Sequence, residues 1–218
     1  MPIEAVIFDL DGVIVSTDDL HYRGWKQLAD EERIDFDRRT NERMRGVSRM
    51  ESLEILLERA GRSYTPAEKE EMASRKNGYY RRLLETLTAG DLLPGAAKTL
   101  AALKARKIKV AVASSSRNAG TILRRIGLEN AFDAVVDGND ISRSKPDPEV
   151  FVKAAERLGL DPCRCLVVED AVAGVEAALA AKMPVLAVGY AASDARATCR
   201  ASGLDDVDLP ALCQTLPN

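Results

Sequence analysis

Five short apolar runs, rich in β-branched residues, recur along the chain: Ala5-Val6-Ile7-Phe8, Val110-Ala111-Val112-Ala113, Ala134-Val135-Val136, Leu166-Val167-Val168 and Val185-Leu186-Ala187-Val188. None alternates with polar residues, so the strands they predict are apolar on both faces, as in a parallel sheet covered by helices. Between them, apolar positions repeat at helical spacing over 96–105, 119–126, 148–158 and 172–181. Gly127 and Gly159 follow two of these segments, where a helix end favours a left-handed residue. Alternating strand and helix predicts an open, doubly wound, Rossmann-like α/β parallel sheet, which takes ligands beyond the carboxyl ends of its strands.

One interval breaks the alternation. After Val15 no second strand follows; residues 16–92 read as helices, and Pro94-Gly95 marks the return to the sheet. This interval carries 15 basic and 16 acidic residues in 77, about 40% charged, against about 24% elsewhere. A charge-rich helical unit of that size has much solvated surface. The chain is therefore expected to divide into an α/β core, 1–15 and 93–218, and an inserted helical cap, 16–92.

The length of 218 residues allows one domain with a small companion. A net charge of −3 gives no broad basic footprint for nucleic acid or anionic lipid. No uncharged apolar stretch reaches the roughly 18 residues of a membrane span. The opening Met1-Pro2-Ile3-Glu4 has neither the basic nor the apolar segment of a secretory leader, so a cytoplasmic protein is expected. There Cys163, Cys165, Cys199 and Cys213 stay reduced; a zinc site is not expected, since no second close pair and no histidine cluster completes it. His21 is the only histidine, which excludes multi-histidine metal centres and any Ser-His-Asp triad not built on it. Chemistry must run mainly on carboxylates and amines. With no long exposed apolar stripe, a monomer is expected.

Four motifs follow the strands. Asp9-Leu10-Asp11-Gly12 places two carboxylates at the end of the first; a plain turn uses the same residues, but a calcium loop does not, because Val13 stands where its third oxygen ligand belongs. Ser114-Ser115-Ser116-Arg117-Asn118 leads into a helix, either as an ordinary cap or as an anion pocket of backbone N–H groups. In Ser144-Lys145-Pro146-Asp147-Pro148, Pro146 holds Lys145 extended and Pro148 suits the first helical turn; the alternative is a surface lysine. Glu169-Asp170 ends a strongly apolar strand, where an exposed acidic pair costs little. Together they bring acids, hydroxyls and a lysine to one rim, with Asp9, Asp170 and Glu169 as a hard-oxygen site suited to Mg²⁺. Such a rim fits phosphoryl transfer, which depends on positioning and charge neutralisation.

The four motifs resemble, over the whole chain, those of the haloacid-dehalogenase superfamily of phosphotransferases. The resemblance implies that Asp9 is the nucleophile that becomes an aspartyl-phosphate. It makes Asp11 the general acid/base, with its main-chain carbonyl on Mg²⁺. Ser114 and Lys145 then hold the transferring phosphoryl group, and Glu169 and Asp170 complete the metal site. The insertion resembles the superfamily's four-helix cap. In finer detail the cap is similar to that of the β-phosphoglucomutase family. Thr17, His21 and Trp25, four apart, share a helix face. Arg45-Gly46-Val47-Ser48-Arg49 with Ser52 resembles its substrate-specificity loop, and Arg75-Lys76-Asn77 its second cap motif. By this resemblance Arg49 grips the non-transferring phosphate, with Ser115, Ser116, Arg117 and Asn118 on the core side. His21 and Lys76 help bring Asp11 into place as the cap closes. Arg45 and Arg117 stand where the best-known members carry lysine, which keeps the charge but turns a point into a fork.

The activity implied is interconversion of β-D-glucose 1-phosphate and D-glucose 6-phosphate through β-D-glucose 1,6-bisphosphate, with a cap that opens and closes about Val15 and Leu92. The rivals are a sugar-phosphate phosphatase or pyrophosphatase of the same superfamily and a catalytically silent binding module. The module has no use for Asp9 and Asp11 together.

Overall fold

The computed structural model describes residues 3–215; Met1, Pro2 and 216–218, parts of the opening segment and of the expected core, lie outside the described residues. The chain runs β1 (Ala5–Phe8), α1 (Asp18–Glu32), α2 (Arg38–Glu42), α3 (Arg49–Leu57), α4 (Pro66–Leu84), α5 (Ala96–Ala105), β2 (Lys109–Ala113), α6 (Ala119–Arg125) and β3 (Ala134–Val136). It continues with α7 (Glu149–Leu158), β4 (Cys165–Glu169), α8 (Val172–Ala180), β5 (Val185–Ala187), β6 (Cys199–Arg200) and α9 (Leu209–Thr215). The six strands form one sheet in the order β3-β2-β1-β4-β5-β6, and every pairing is parallel.

The apolar runs fold this way because each feeds two layers. Val6 and Phe8 of β1 point to one face, with Val110, Val112, Leu166, Val168 and residues of α5, α6 and α9. Ala5 and Ile7 point to the other, against Ala111, Val167 and residues of α7 and α8. All four residues of β1 are fully buried. Register then levels the strand ends: Phe8 lies opposite Val112 of β2 and Val168 of β4. Asp9, Ser114 and Glu169 therefore emerge along one edge of the sheet.

Between β1 and α5 stand α1 to α4, around a separate apolar cluster of Trp25, Leu28, Phe36, Leu53, Leu56 and Met72. Capping boxes start α3 (Ser48 with Glu51) and α4 (Thr65 with Glu68), each satisfying two backbone donors. The two crossings into this insertion lie side by side: Val15 bridges Leu92, and Leu93 N–H donates to Ile14 O at 3.0 Å.

Three details depart from the pattern. The two-residue β6 is too short to carry a periodicity. Val188 leaves β5 for a short 3-10 turn, its N–H donating to Glu169 O at 2.8 Å. Pro148 sits just outside α7, which begins at Glu149, whose N–H donates to Asp147 Oδ1 at 3.0 Å. The four cysteines are free thiols. Among the described residues no helix is long and apolar enough to cross a membrane.

Candidate active site

The centre of the sheet edge is crowded with charge. Asp9 continues β1, its N–H donating to Val168 O at 2.9 Å. Lys145 arrives through the loop after β3 and is fully buried, with its peptide to Pro146 cis. Its ammonium donates to the Asp9 carboxylate, to Glu169 Oε1 at 3.1 Å and to Ala113 O at 3.3 Å. Glu169 Oε2 in turn accepts the Asp170 N–H at 3.1 Å. Oxygens of Asp9, Glu169 and Asp170 lie within 4.8 Å of one another. Two glycines make the room. A β-carbon at Gly12, whose φ is +87°, or at Gly174 would overlap the carboxylates of Asp170 and Glu169 respectively.

The charge balance follows from burial. Desolvation, then repulsion from Asp9, raises Glu169 well above the usual carboxylate range and pushes Asp170 up to about 7. Burial opposes charge on Lys145, yet Asp9 and Glu169 overcome it and hold the ammonium above its ordinary value. With all three buried carboxylates ionised, one ammonium would leave negative charge uncompensated. An all-oxygen donor set of this kind suits a hard divalent cation, so the residues fit Mg²⁺.

Asp11 stands apart from that cluster. Its carboxylate accepts from the Thr17 hydroxyl; burial and the neighbouring Asp9 push it up to about 7, although Thr17 opposes the shift. Thr17 immediately precedes α1 but does not cap it, since its hydroxyl is engaged by Asp11. Thr17, expected on the substrate, makes this contact to Asp11, and Asp11 is also close enough to Lys76 to favour its charged form.

After β2, Ser114 N–H donates to Val136 O at 3.0 Å. The backbone donors of Ser116 and Asn118 are taken by the hydroxyls of Ser114 and Ser116, at 3.1 and 3.2 Å. The open pocket of N–H groups expected here is therefore closed at those two positions by the chain's own serines.

The insertion supplies the opposite wall. His21 and Trp25 lie on one face of α1, with Thr17 just before it, and Lys76 of α4 is buried. Lys76 Nζ lies 3.0 Å from His21 Nδ1 and stands over the rings of Trp25 and Tyr80 at 4.7 and 4.6 Å. The Tyr80 ring lies 4.0 Å from that of His21. Desolvation, then Lys76 and Arg49, keeps His21 well below its ordinary value. Desolvation and Arg49 bring Lys76 down to about 7. Arg49, the first residue of α3, is itself lowered by burial and by Arg117 across from it. Cations from the insertion and the core thus converge.

Contacts join the walls directly. Ser115 Oγ donates to Gly46 O at 3.2 Å, and Asn118 Nδ2 to Asn77 Oδ1 at 3.0 Å. Gly46, with φ +73°, passes so near Ala171 that a β-carbon would approach to 2.9 Å. Arg45 donates to Asp18 Oδ2 at 2.8 Å and lies over the Tyr190 ring. Ser52 is buried and Val47 half-buried. Ser48, expected on the substrate, has its hydroxyl engaged by the Glu51 N–H at 3.2 Å. Trp25 packs into the insertion's own core as well as beneath Lys76. Arg75 turns away to Glu32 and its acidic neighbours. The pattern of residues passed over Tyr80, Gly174 and Tyr190. Tyr80 stands four after Lys76 and so shares its face, a signal that was available; Gly174 and Tyr190 act only through tertiary neighbours.

The family profile for haloacid dehalogenase-like hydrolases matches residues 3–182. A β-phosphoglucomutase of Bacillus subtilis (strain 168) is 47% identical over 188 residues, covering 85% of this chain and 83% of the relative. A phosphorylated carbohydrates phosphatase of Thermotoga maritima is 32% identical over 204 residues, covering 92% of each. The crystal structure of a β-phosphoglucomutase from Clostridium difficile superposes with a TM-score of 0.91 at 37% identity, over 96% of this chain and 95% of the other. With its aspartate pair, buried lysine and acidic pair gathered on one sheet edge, the chain belongs to the haloacid dehalogenase-like hydrolase family.

Proposed function

We propose that the protein is a β-phosphoglucomutase, interconverting β-D-glucose 1-phosphate and D-glucose 6-phosphate through an aspartyl-phosphate on Asp9 and β-D-glucose 1,6-bisphosphate. One observation carries this reading over simple hydrolysis. The site has two cationic ends, Lys145 beside Asp9 and, at the other, Arg49 of the insertion near enough to Arg117 of the core to feel its charge. A bisphosphate needs an anion site at each end, and can then bind in either direction. The similarity to the Bacillus subtilis enzyme supports the same assignment.

Each residue has a part. Phospho-Asp9 donates its phosphoryl group to a sugar hydroxyl: the new P–O bond forms as the P–O bond to Asp9 breaks. Asp11 takes the hydroxyl proton, a task suited to a carboxyl held near 7. The bisphosphate then reorients, Asp9 attacks its other phosphorus, and Asp11 returns the proton to the departing sugar oxygen. Thr17 orients Asp11, Lys145 and Ser114 hold the transferring group, and Arg49, Arg117, Ser116 and Asn118 hold the far phosphate. Asp9, Glu169 and Asp170, with the Asp11 carbonyl, would hold Mg²⁺, which when bound neutralises charge on the phosphoryl oxygens. Residues 16–92 act as a lid on the core, 1–15 and 93–218, turning about the paired crossings and shielding phospho-Asp9 from water. The enzyme works as a cytoplasmic monomer on small sugar phosphates.

The test is a paired assay with Mg²⁺ and β-glucose 1-phosphate, primed with the bisphosphate and followed for glucose 6-phosphate and for free phosphate. Isomer formation far faster than phosphate release is expected, and is lost in Asp9→Ala; predominant phosphate release would make the protein a phosphatase instead.

A further inference from the structure

Arg45 lies in the loop between α2 and α3, and its guanidinium is enclosed on both sides. It donates to Asp18 Oδ2 at 2.8 Å, while its central carbon stands 3.4 Å from the centroid of the Tyr190 ring. Its side chain is only 16% exposed, and its Nε is buried with no hydrogen-bond partner among the described residues. Asp18 opens α1 on the same insertion. Tyr190 belongs to the core, on the turn after β5.

That turn borders the carboxylate cluster. A β-carbon on Gly189, whose φ is +52°, would lie 3.6 Å from Asp170 Cβ. Tyr190 itself is 64% exposed, far more than a tyrosine retained for core packing. Its ring presents a face to Arg45. Asp18 balances the guanidinium charge while the ring attracts its flat face, a combination a lysine point charge does not match. Arg45 also directly precedes Gly46, whose carbonyl accepts from Ser115 and whose backbone rests against Ala171. The stack therefore clamps the loop at the point where insertion and core meet.

We infer that Tyr190 is a positioning residue: its ring holds Arg45, and with it the 45–49 loop, against the core, and so sets how well phospho-Asp9 is shielded from water. The inference rests on the mutase reading for its effect on products, but not for its effect on the loop. The competing reaction is hydrolysis. A water oxygen bonds to phosphorus as the bond to Asp9 breaks, one water proton passes to Asp11, and inorganic phosphate leaves.

Two measurements on Tyr190→Ala and Tyr190→Phe decide it. Hydrogen exchange of the 43–48 segment reads loop opening without turnover. The paired assay reads phosphate released per glucose 6-phosphate formed. An aromatic–cation contact at a partly exposed site corresponds to an opening increased about two- to five-fold in Tyr190→Ala, with a matching rise in phosphate release. Tyr190→Phe keeps the ring and matches the wild type in both. Arg45→Lys behaves like Tyr190→Ala, and combining them adds nothing further. Unchanged exchange in Tyr190→Ala overturns the inference, as does a Tyr190→Phe variant that shifts with it. A wild-type enzyme that releases phosphate without isomerising overturns the mutase reading instead, and the exchange comparison still decides whether Tyr190 holds the loop.

Discussion

Replacing Lys145 with methionine keeps most of the side chain's volume and deletes the one ammonium among Asp9, Glu169 and Asp170. Lys145 is fully buried, as is Glu169, so neither water nor another described cation can take its place at Glu169 Oε1, 3.1 Å away. Breaking a buried pair from one side typically costs about 3–5 kcal/mol, and a chain of this size loses roughly 2–4 °C in Tm per kcal/mol, so a fall of roughly 6–20 °C is expected. The pH dependence gives the sharper check. Asp170 sits at about 7 and Glu169 is shifted the same way. Acids raised on folding contribute stability below their unfolded values and lose it as pH rises through the folded ones. Without Lys145 both rise further, so the gap between variant and wild type widens toward alkaline pH and narrows on acidification. Thermal melts in a chelator at about pH 5 and about pH 8 measure this, and Mg²⁺ at the higher pH should restore part of the loss. A gap equal at both pH values would mean that only packing was lost. Near-identical melting at pH 8 would refute the charge argument outright.

Further outcomes follow from the same geometry. Arg49→Ala removes a charged donor from the far phosphate; at about 1.5–3 kcal/mol for such a bond, kcat/KM for isomerisation should fall roughly 10- to 150-fold, and an unchanged rate removes Arg49 from the site. Lys76, at about 7 through burial and the nearby Arg49, is largely neutral above neutrality in the free enzyme. A bound phosphate favours its charged form, so binding should take up a proton near pH 8 and weaken as pH rises; calorimetry in buffers of different ionisation enthalpy reads the uptake, which Lys76→Ala should abolish. Gly174→Ala drives a methyl group into the Glu169 carboxylate, and should lower stability by about 1–3 kcal/mol and blunt the thermal response to Mg²⁺. A variant with wild-type melting and an intact Mg²⁺ response would show that this glycine is not needed for the cluster.

Much of this was legible in the chain. The apolar runs located five of the six strands, because strands buried on both faces leave unbroken apolar runs, whereas Cys199–Arg200 is too short to leave any. Asp9, Glu169 and Asp170 could be gathered in advance because they stand at strand ends, which parallel register levels, and Lys145 because its loop leaves a strand on the same edge. The cap residues were harder. Thr17 and His21 are four apart and Lys76 stands on another helix, but which of them bonds to Asp11 depends on how the 12–17 turn returns, and that turn gives the contact to Thr17. Ser48 looked like a ligand and is also a helix cap, since one hydroxyl serves either purpose and only the neighbouring Glu51 decides.

Taken alone, the amino-acid sequence determined the α/β architecture, the run of helices after the first strand and the identity of the acids and the lysine at the sheet edge. These depend on periodicity and on position after a strand, which are local properties of the chain. Tertiary structure alone decided that Lys145 is sealed between two carboxylates, that Gly12 and Gly174 clear space for the acids, and that Tyr190 faces Arg45. Those relations join residues far apart along the chain, and burial and proximity, which set their charges and energies, arise only when the layers pack.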